Sequence, residues 1–199
     1  MVVTLNYRLN IFAFGDCKGE INLALSDQRA ALDFVRLHIR GFGGDPVSSH
    51  TQHSFSIAEL IIYLQDNITL AGESAGAVYV HAHMAMGVPM RQAILQSGSL
   101  YLSPPISTAR AREIAANFEN HLSTKSPASG PELTLQTAPV EDILKTLEDT
   151  ATVSLYLQTE PGLENWREEL GQASRLLIGD CEFEVRQPNS LPLTQDLTC

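Results

Sequence analysis

The sequence predicts an α/β fold in which a mostly parallel sheet is flanked by helices. One observation is that short apolar, β-branched runs alternate along the chain with stretches of helical periodicity. The second is the segment 68–76, where such a run leads through a Gly-Glu-Ser-Ala-Gly turn into a helical stretch. Because ligands bind at the carboxyl ends of the strands in such sheets, this order places Ser74 where a site is expected.

The first predicted elements are a buried strand at 2–7 and a helix that starts near Ser26 and ends at Gly41. The strand is expected because residues 2–7 are mainly β-branched or apolar and no turn signal precedes them. Ser26 is the expected N-cap, and Gly41 is the expected stop. The helix is expected from the spacing of its apolar residues, which are Ala31, Leu32, Val35 and Ile39.

The remaining elements follow from the same two periodicities. Strands are predicted at 68–71, 92–96 and 175–179, and helices at 75–86, 108–122 and 140–147. The segment 123–139 is rich in Ser, Thr, Pro and Gly, which predicts a surface loop. Beyond Glu184 the chain is polar and lacks periodicity, so we expect residues 185–199 to be an unstructured tail.

Composition restricts the possible functions. The chain has 199 residues, a formal net charge of −10 and 44% hydrophobic residues, which is ordinary for a globular protein. Because it is acidic and has no block of Lys or Arg, we expect no nucleic-acid or anionic-membrane partner. No apolar run approaches the roughly 20 residues that span a bilayer. No signal peptide is visible, so the compartment stays open, with the cytoplasm as the default expectation.

The Gly-x-Ser-x-Gly turn has the form of a nucleophile elbow, with Ser74 as the nucleophile. The turn is expected to be so tight that side chains at positions 72 and 76 would collide with neighbouring backbone, which explains Gly72 and Gly76. The N–H of Ala75, at the positive end of the following helix, would then face an oxyanion beside the serine. The same five residue types also occur in ordinary turns, so the flanking strand and helix are needed for the prediction.

Further motifs stand in a recognisable order around this turn. They are an Asn-Tyr-Arg segment at 6–8, an Asp-Gln-Arg helix at 27–29, a Phe-Gly-Gly-Asp-Pro turn at 42–46 and a strand ending Gln-Ser-Gly-Ser at 96–99. Together they resemble the type-B carboxylesterase and cholinesterase family of α/β-hydrolases. The resemblance covers most of 2–104 and returns at 175–184. It implies a partial α/β-hydrolase domain over 1–184, with N- and C-terminal portions missing.

The resemblance also implies an activity. It is carboxylic ester hydrolysis through a serine nucleophile and an acyl-enzyme, on a small-molecule ester, with no cofactor and no metal. The family's triad runs Ser, then Glu or Asp, then His. Ser74 matches the nucleophile and Glu184 matches the acid, with Asp180 and Glu182 as weaker candidates. The alternative is that these three carboxylates are solvated loop residues.

Two catalytic parts of the family have no match in this sequence. The family's His-Gly-Gly-Gly oxyanion segment precedes the Asn-Tyr-Arg strand, and the catalytic histidine follows the acid, but no histidine follows Glu184. We therefore expect this truncated chain not to be a competent esterase. The alternative is a catalytically dead α/β-hydrolase module that acts through binding. The acyl and alcohol preferences and the oligomeric state stay open.

Residues 47–65 interrupt the family's spacing. Removing them joins Pro46 to Asp66 and restores the distance from the Phe-Gly-Gly turn to the elbow strand. Val47-Ser48 can be encoded GTN-AGY and Gln65 can be encoded CAG, which are the edges of a spliceosomal intron. Our hypothesis is an unspliced intron translated in frame, with the tail at 185–199 suspected of the same origin. The alternatives for 47–65 are a family-specific loop and an amphipathic docking helix.

Overall fold

The computed structural model describes residues 1–15, 20–45, 67–124, 133–150, 157–169, 171 and 173–181. Within these ranges, three parallel strands form one sheet in the order β1-β2-β3. The strands are β1 at Thr69–Glu73, β2 at Gln92–Gln96 and β3 at Arg175–Gly179. Because Glu73 is in register with Gln96, and Gln96 with Gly179, the three carboxyl ends lie together at one end of the sheet.

The described ranges contain four α-helices. They are α1 at Leu23–His38, α2 at Ala75–Ala85, α3 at Thr108–Ser123 and α4 at Val140–Asp149. Short 3-10 helices lie at Asn10–Ala13 and Ile39–Phe42. Helix α2 connects β1 to β2, as a parallel pair of strands requires a crossover rather than a hairpin.

Helix α2 is apolar around most of its circumference because it is buried on two sides. One side packs on the sheet, where Ala77 and Met84 share a buried cluster with Ala93 of β2. The other side contributes Tyr79 to a second cluster, which includes Trp166. The strand-turn-helix unit that carries Ser74 is therefore anchored in the core on both sides.

Trp166 fixes the segment 157–169 against this central helix. Its ring meets that of Tyr101 edge to face, with centroids 5.1 Å apart, and that of His81 at 6.3 Å. The guanidinium carbon of Arg167 lies 4.4 Å from the centroid of the Trp166 ring. Contacts of this kind are directional, so they hold the segment in one orientation as well as burying it.

Helix α1 starts before the predicted position. Its N-cap is Asn22, a left-handed residue with φ 50°, and not Ser26, which lies inside the helix. Asn22 donates from Nδ2 to the carbonyl oxygen of Gln158 (2.8 Å) and accepts at Oδ1 from the Gln158 N–H (2.7 Å). This hydrogen-bonded pairing with a residue far along the chain determines where the helix starts. The helix ends at His38 and not at Gly41, and continues as the 3-10 turn that left-handed Gly43 closes.

The outer helices form a separate layer of the core. Ile11, Phe118 and Ile143 belong to one buried cluster that joins the first 3-10 helix to α3 and α4. Ser107 caps α3, because its Oγ accepts the N–H of Arg110 at 3.2 Å.

The predicted strand at 2–7 is wrong, since residues 1–9 form no strand. A strand needs a hydrogen-bonded neighbour, and β1 is separated from this segment by two adjoining cavities of about 280 and 340 Å³. Val3, Leu5, Leu32 and Leu70 line both cavities. We call the two cavities together the β1 slot. Side chains of the N-terminal segment form one wall of this slot, and β1 forms the other.

Most other elements agree with the sequence-based prediction. Strands β2 and β3 have the predicted bounds, and α/β architecture with a parallel sheet is confirmed. The suspected insertion at 47–65 and the tail at 185–199 both lie outside the described residues. No helix in the described ranges is long and apolar enough to cross a bilayer.

Candidate active site

Ser74 occupies a strained turn between β1 and α2. Its backbone has φ 50° and ψ −118°, a region that costs a residue other than glycine about 1–3 kcal/mol. The turn is held on both sides, because the Ser74 N–H donates to the Gln96 carbonyl (2.8 Å) and its carbonyl accepts from the Val78 N–H (3.1 Å). The Ser74 residue is exposed at the carboxyl end of the sheet. The strain is thus maintained by β2 and α2 together.

Two glycines permit this turn sterically. A Cβ on Gly72 would lie 2.3 Å from the carbonyl carbon of Gly76, and a Cβ on Gly98 would lie 2.2 Å from the Ser74 carbonyl oxygen. Neither distance is possible for a real side chain, so both positions require glycine. At Gly76 the predicted collision is not found, because a Cβ there would meet only the Tyr7 hydroxyl, at 3.8 Å.

Ser74 opens on a cavity of about 430 Å³, which we call the Ser74 cavity. Its lining residues carry no charge: Leu9, Asn10, Ser74, Ala75, Val78, Tyr79, Ser97, Gly98, Leu102 and Ser103. Ala75 is the first residue of α2, so its N–H belongs to the turn whose donors have no partner inside the helix. The cavity therefore combines a serine, a candidate oxyanion donor and an uncharged wall.

No histidine of the described part of the chain lines the Ser74 cavity. On α2, the Nδ1 atom of His81 accepts the N–H of Leu100 at 3.1 Å, and burial lowers the pKa of His81. His83 is buried and bonds through Nε2 to Oε1 of Gln28 at 2.8 Å. Each of these two histidines therefore uses one ring nitrogen in a hydrogen bond within the fold, and neither lines the Ser74 cavity. His50 and His53 lie outside the described residues.

The candidate acid also lies outside the described residues, since Glu184 and Glu182 follow the last described position, 181. Asp180 is described, and it is exposed immediately after β3. The Ser97 N–H donates to the Gly179 carbonyl at 2.8 Å, which fixes the end of β3 beside the end of β2. Strand β3 is two positions from β1 in the sheet, about 10 Å at the usual strand spacing. An acid after β3 would need an intervening base to reach Ser74.

Sequence reasoning missed several residues of this site. Ser97 has φ 51° and lines the cavity, and Gly98 touches the Ser74 turn. Their Ser-Gly-Ser setting at the end of a predicted strand was a usable signal, because the carboxyl ends of parallel strands lie at one edge of a sheet. Tyr79 gave no signal, since its place on an apolar helix is typical of a core residue. The described residues contain no group of three or more metal-ligating side chains that could hold an ion.

A glycine-flanked serine on a strained strand-to-helix turn, at the carboxyl end of a parallel sheet, is the local geometry of the nucleophile elbow in α/β-hydrolase folds. The comparison with known families agrees with this class. The model of the carboxylesterase family matches residues 1–49 and 65–173. The chain belongs to the carboxylesterase family, and its fold is a partial α/β-hydrolase fold.

Individual relatives include active and inactive proteins by name. The chain is 38% identical over 122 residues to "inactive carboxylesterase-like protein VdtD" of Byssochlamys spectabilis, covering 57% of this chain and 18% of that protein. It is 35% identical over 153 residues to para-nitrobenzyl esterase of Bacillus subtilis, covering 73% and 26%. It is 34% identical over 123 residues to a carboxylic ester hydrolase of Bombus ignitus, covering 59% and 19%.

These matches span at most about a quarter of each of the three relatives. The family match also leaves a gap inside the chain, because it stops at residue 49 and resumes at residue 65. The unmatched stretch, 50–64, falls within the suspected insertion at 47–65.

Proposed function

We propose that the chain carries the nucleophile of a carboxylic ester hydrolase, with Ser74 as the attacking residue. The observation that carries the proposal is the Ser74 turn, which is strained, exposed and open to an uncharged cavity. Strained backbone at an exposed nucleophile is maintained at a stability cost, so it favours a functional role over an ordinary turn.

The reaction would proceed through a covalent intermediate. Ser74 Oγ would attack the ester carbonyl carbon while a base removes its proton, and the Ala75 N–H would donate to the resulting oxyanion. Collapse would expel the alcohol and leave an acyl group on Ser74, which water would then hydrolyse. In the family the base is a histidine, and Glu184 is our proposal for the acid that would orient it.

We further propose that turnover by this chain is close to background. No histidine of the described part of the chain lines the Ser74 cavity, which supports the absence of a catalytic base beside the proposed nucleophile. In subtilisin, removal of the catalytic histidine lowers turnover by roughly a million-fold. Without a base, both the formation and the hydrolysis of an acyl group on Ser74 would be slow with the family's small-molecule esters.

Added imidazole tests both proposals. Imidazole can replace the missing base, so p-nitrophenyl acetate plus imidazole should leave one acetyl group on Ser74, detected by intact mass and peptide mapping. Ser74→Ala should abolish this acetylation, whereas Ser103→Ala, in the same cavity wall, should retain it. Acetylation that is equal in wild type and Ser74→Ala would contradict the nucleophile, and fast turnover without imidazole would contradict the inactive state.

A second candidate function is a catalytically inactive binding module. It is favoured by the absence of a histidine from the Ser74 cavity among the described residues, and by a relative whose name includes "inactive". This alternative predicts that an uncleavable amide analogue of the ester raises the unfolding temperature, while imidazole restores no acetylation of Ser74. Acetylation of Ser74 with imidazole would favour the hydrolase instead.

A further inference from the structure

Residues 98–103 follow β2 and form part of the wall of the Ser74 cavity, to which they contribute Leu102 and Ser103. We call this segment the 98–103 loop. The Leu102 and Ser103 N–H groups donate to the Ser99 carbonyl, at 3.1 and 3.0 Å, so the loop closes on itself as a turn. The position of this turn relative to Ser74 therefore depends on the contacts that tie the loop to other elements.

Among the described residues, two hydrogen bonds tie the 98–103 loop to other elements. The Leu100 N–H donates to Nδ1 of His81, on α2, at 3.1 Å. The Tyr101 hydroxyl donates to the Arg167 carbonyl at 3.5 Å, which is long for an O–H donor. The contact with His81 is the shorter of the two and holds the loop backbone directly. Because Leu100 is fully buried, loss of this partner would leave a backbone donor unsatisfied inside the fold.

The contact with Leu100 also fixes the protonation state of the His81 ring. A backbone N–H can only donate, so Nδ1 of His81 must offer its lone pair, and the proton of the neutral ring lies on Nε2. Protonation of His81 would place an N–H on Nδ1, opposite the N–H of Leu100. Two donors cannot bond to each other, so the charged ring would lose its hold on the loop.

The groups around His81 oppose its protonation. Tyr101, from the loop, and Trp166, from the segment 157–169, have ring centroids 5.9 and 6.3 Å from that of His81. The charged group on the Trp166 ring is the cation Arg167, whose guanidinium carbon lies 4.4 Å from the ring centroid. The side chains one helical turn away on α2 are apolar: Ala77, Val78, Met84 and Ala85. Burial lowers the pKa of His81, in line with an uncharged ring at neutral pH.

We propose that His81 is a positioning residue of the Ser74 cavity, whose neutral imidazole holds the 98–103 loop in place and releases it when protonated. The proposal rests on the proposed role of Ser74, because the loop would fix the part of an ester that contacts Leu102 and Ser103. His81 itself does not line the cavity, so it would act only through the loop.

Amide hydrogen exchange on two variants of the full chain tests the contact itself. In His81→Asn a side-chain carbonyl oxygen replaces the Nδ1 acceptor and does not titrate, whereas His81→Leu has no acceptor. At pH 7.5 the protection factor of the Leu100 amide should fall at least tenfold in His81→Leu and stay within threefold of wild type in His81→Asn. Equal protection of Leu100 in wild type and His81→Leu would overturn the proposal.

The pH dependence of the same exchange tests the release. Between pH 7.5 and pH 5, protection of the Leu100 amide should fall more than that of the β2 amides in wild type. In His81→Asn it should fall only as much as the β2 amides, which report the loss of global stability that protonation of His83 causes. The same response of Leu100 in wild type and His81→Asn would overturn the proposal.

Acetylation of Ser74 by p-nitrophenyl acetate, with imidazole at pH 7.5, tests the effect on the cavity. His81→Leu should slow it at least fivefold, His81→Asn should restore it to within twofold of wild type, and His121→Leu, at an exposed position of α3, should leave it unchanged. An unchanged rate in His81→Leu would overturn the positioning role. If wild type is not acetylated, the proposed nucleophile fails, and the Leu100 protection factors still support or overturn the hold of His81 on the loop.

Discussion

Gly98 lies directly against the backbone of Ser74. A Cβ at Gly98 would stand 2.2 Å from the Ser74 carbonyl oxygen, and the same carbonyl accepts the Val78 N–H at 3.1 Å. Because Gly98 follows β2, the end of that strand determines where the serine can lie. The position of Ser74, the proposed nucleophile, thus depends on a residue that lies outside the Gly-x-Ser-x-Gly motif and is adjacent to it in space.

The glycines around Ser74 should differ sharply in their tolerance of alanine. Gly98→Ala should lower the free energy of unfolding by on the order of 3 kcal/mol, because the added Cβ meets backbone that cannot give way. Gly76→Ala is the matched control, since its Cβ would meet only the Tyr7 hydroxyl at 3.8 Å. It should change stability by less than about 1 kcal/mol. Urea unfolding measures both, and equal losses would contradict the described turn.

Stability should fall as pH is lowered from 7 to 5. Burial lowers the pKa of His83 to about 4, whereas an unfolded histidine titrates near 6.5, so the unfolded chain binds a proton more readily. The loss begins below about pH 6.5 and is complete near pH 4. Between pH 7 and pH 5 it should reach about 2 kcal/mol. Urea unfolding at several pH values measures it.

A pair of histidine variants tests whether His83 causes this pH dependence of stability. His83→Gln should flatten the dependence, while His121→Gln, an exposed residue on α3, should preserve it. The lowered pKa of His81 adds a dependence of the same sign, so a small slope should persist in His83→Gln. A slope unchanged by His83→Gln would contradict the buried neutral state.

The stability of the α1 N-cap should depend on both the side-chain amide of Asn22 and its left-handed backbone. Asn22→Ala loses two hydrogen bonds to the buried Gln158 backbone and places alanine at φ 50°, so it should cost about 3–4 kcal/mol. Asn22→Gly loses the same bonds but tolerates this φ, and should recover about 1 kcal/mol. Thermal and urea unfolding compare the two. A glycine variant less stable than the alanine variant would contradict the left-handed cap.

The sequence predicted elements whose signals are local. Strands β2 and β3 were predicted with their bounds because their apolar runs end at polar or glycine residues. The strand at 2–7 was wrong because apolar, β-branched composition makes a strand only when a neighbour accepts its hydrogen bonds. The start of α1 was wrong for a similar reason, since Asn22 is selected by Gln158, far away in the chain.

In the candidate site, too, the sequence predicted the features with local signals and missed those that depend on packing. The Ser74 turn was recognisable because its spacing carries the strand, the tight turn and the helix within nine residues. The contact of Gly98 with Ser74, and the cavity wall that Tyr79 forms, depend on how β2 and α2 pack. Spacing alone does not contain that information. The predicted acid Glu184 lies outside the described residues and stays a prediction.

Removal of residues 47–65 should stabilise the chain if they are an insertion, as we propose. The family match stops at residue 49 and resumes at residue 65, which supports that origin. The deletion restores the family's spacing between the Phe-Gly-Gly turn and β1, so the midpoint of thermal unfolding should rise. A chain with a Gly/Ser linker of equal length at 47–65 separates the effect of spacing from that of the segment's own residues.

The proposed origin of the insertion has a separate test at the level of RNA. Sequencing the mature transcript should show that the codons for residues 47–65 are removed. A mature message that retains them would contradict the intron hypothesis. Loss of stability on deletion would independently contradict the structural prediction.

The packing of Trp166 gives the molecule an intrinsic optical reporter. The chain contains a single tryptophan, and its ring is buried between α2 and Tyr101 with Arg167 over its face. Selective excitation of indole therefore reports on one corner of the core, and emission should shift to longer wavelength when the segment 157–169 leaves α2. Detachment of the segment 157–169 from α2 can be followed in real time without attaching a dye.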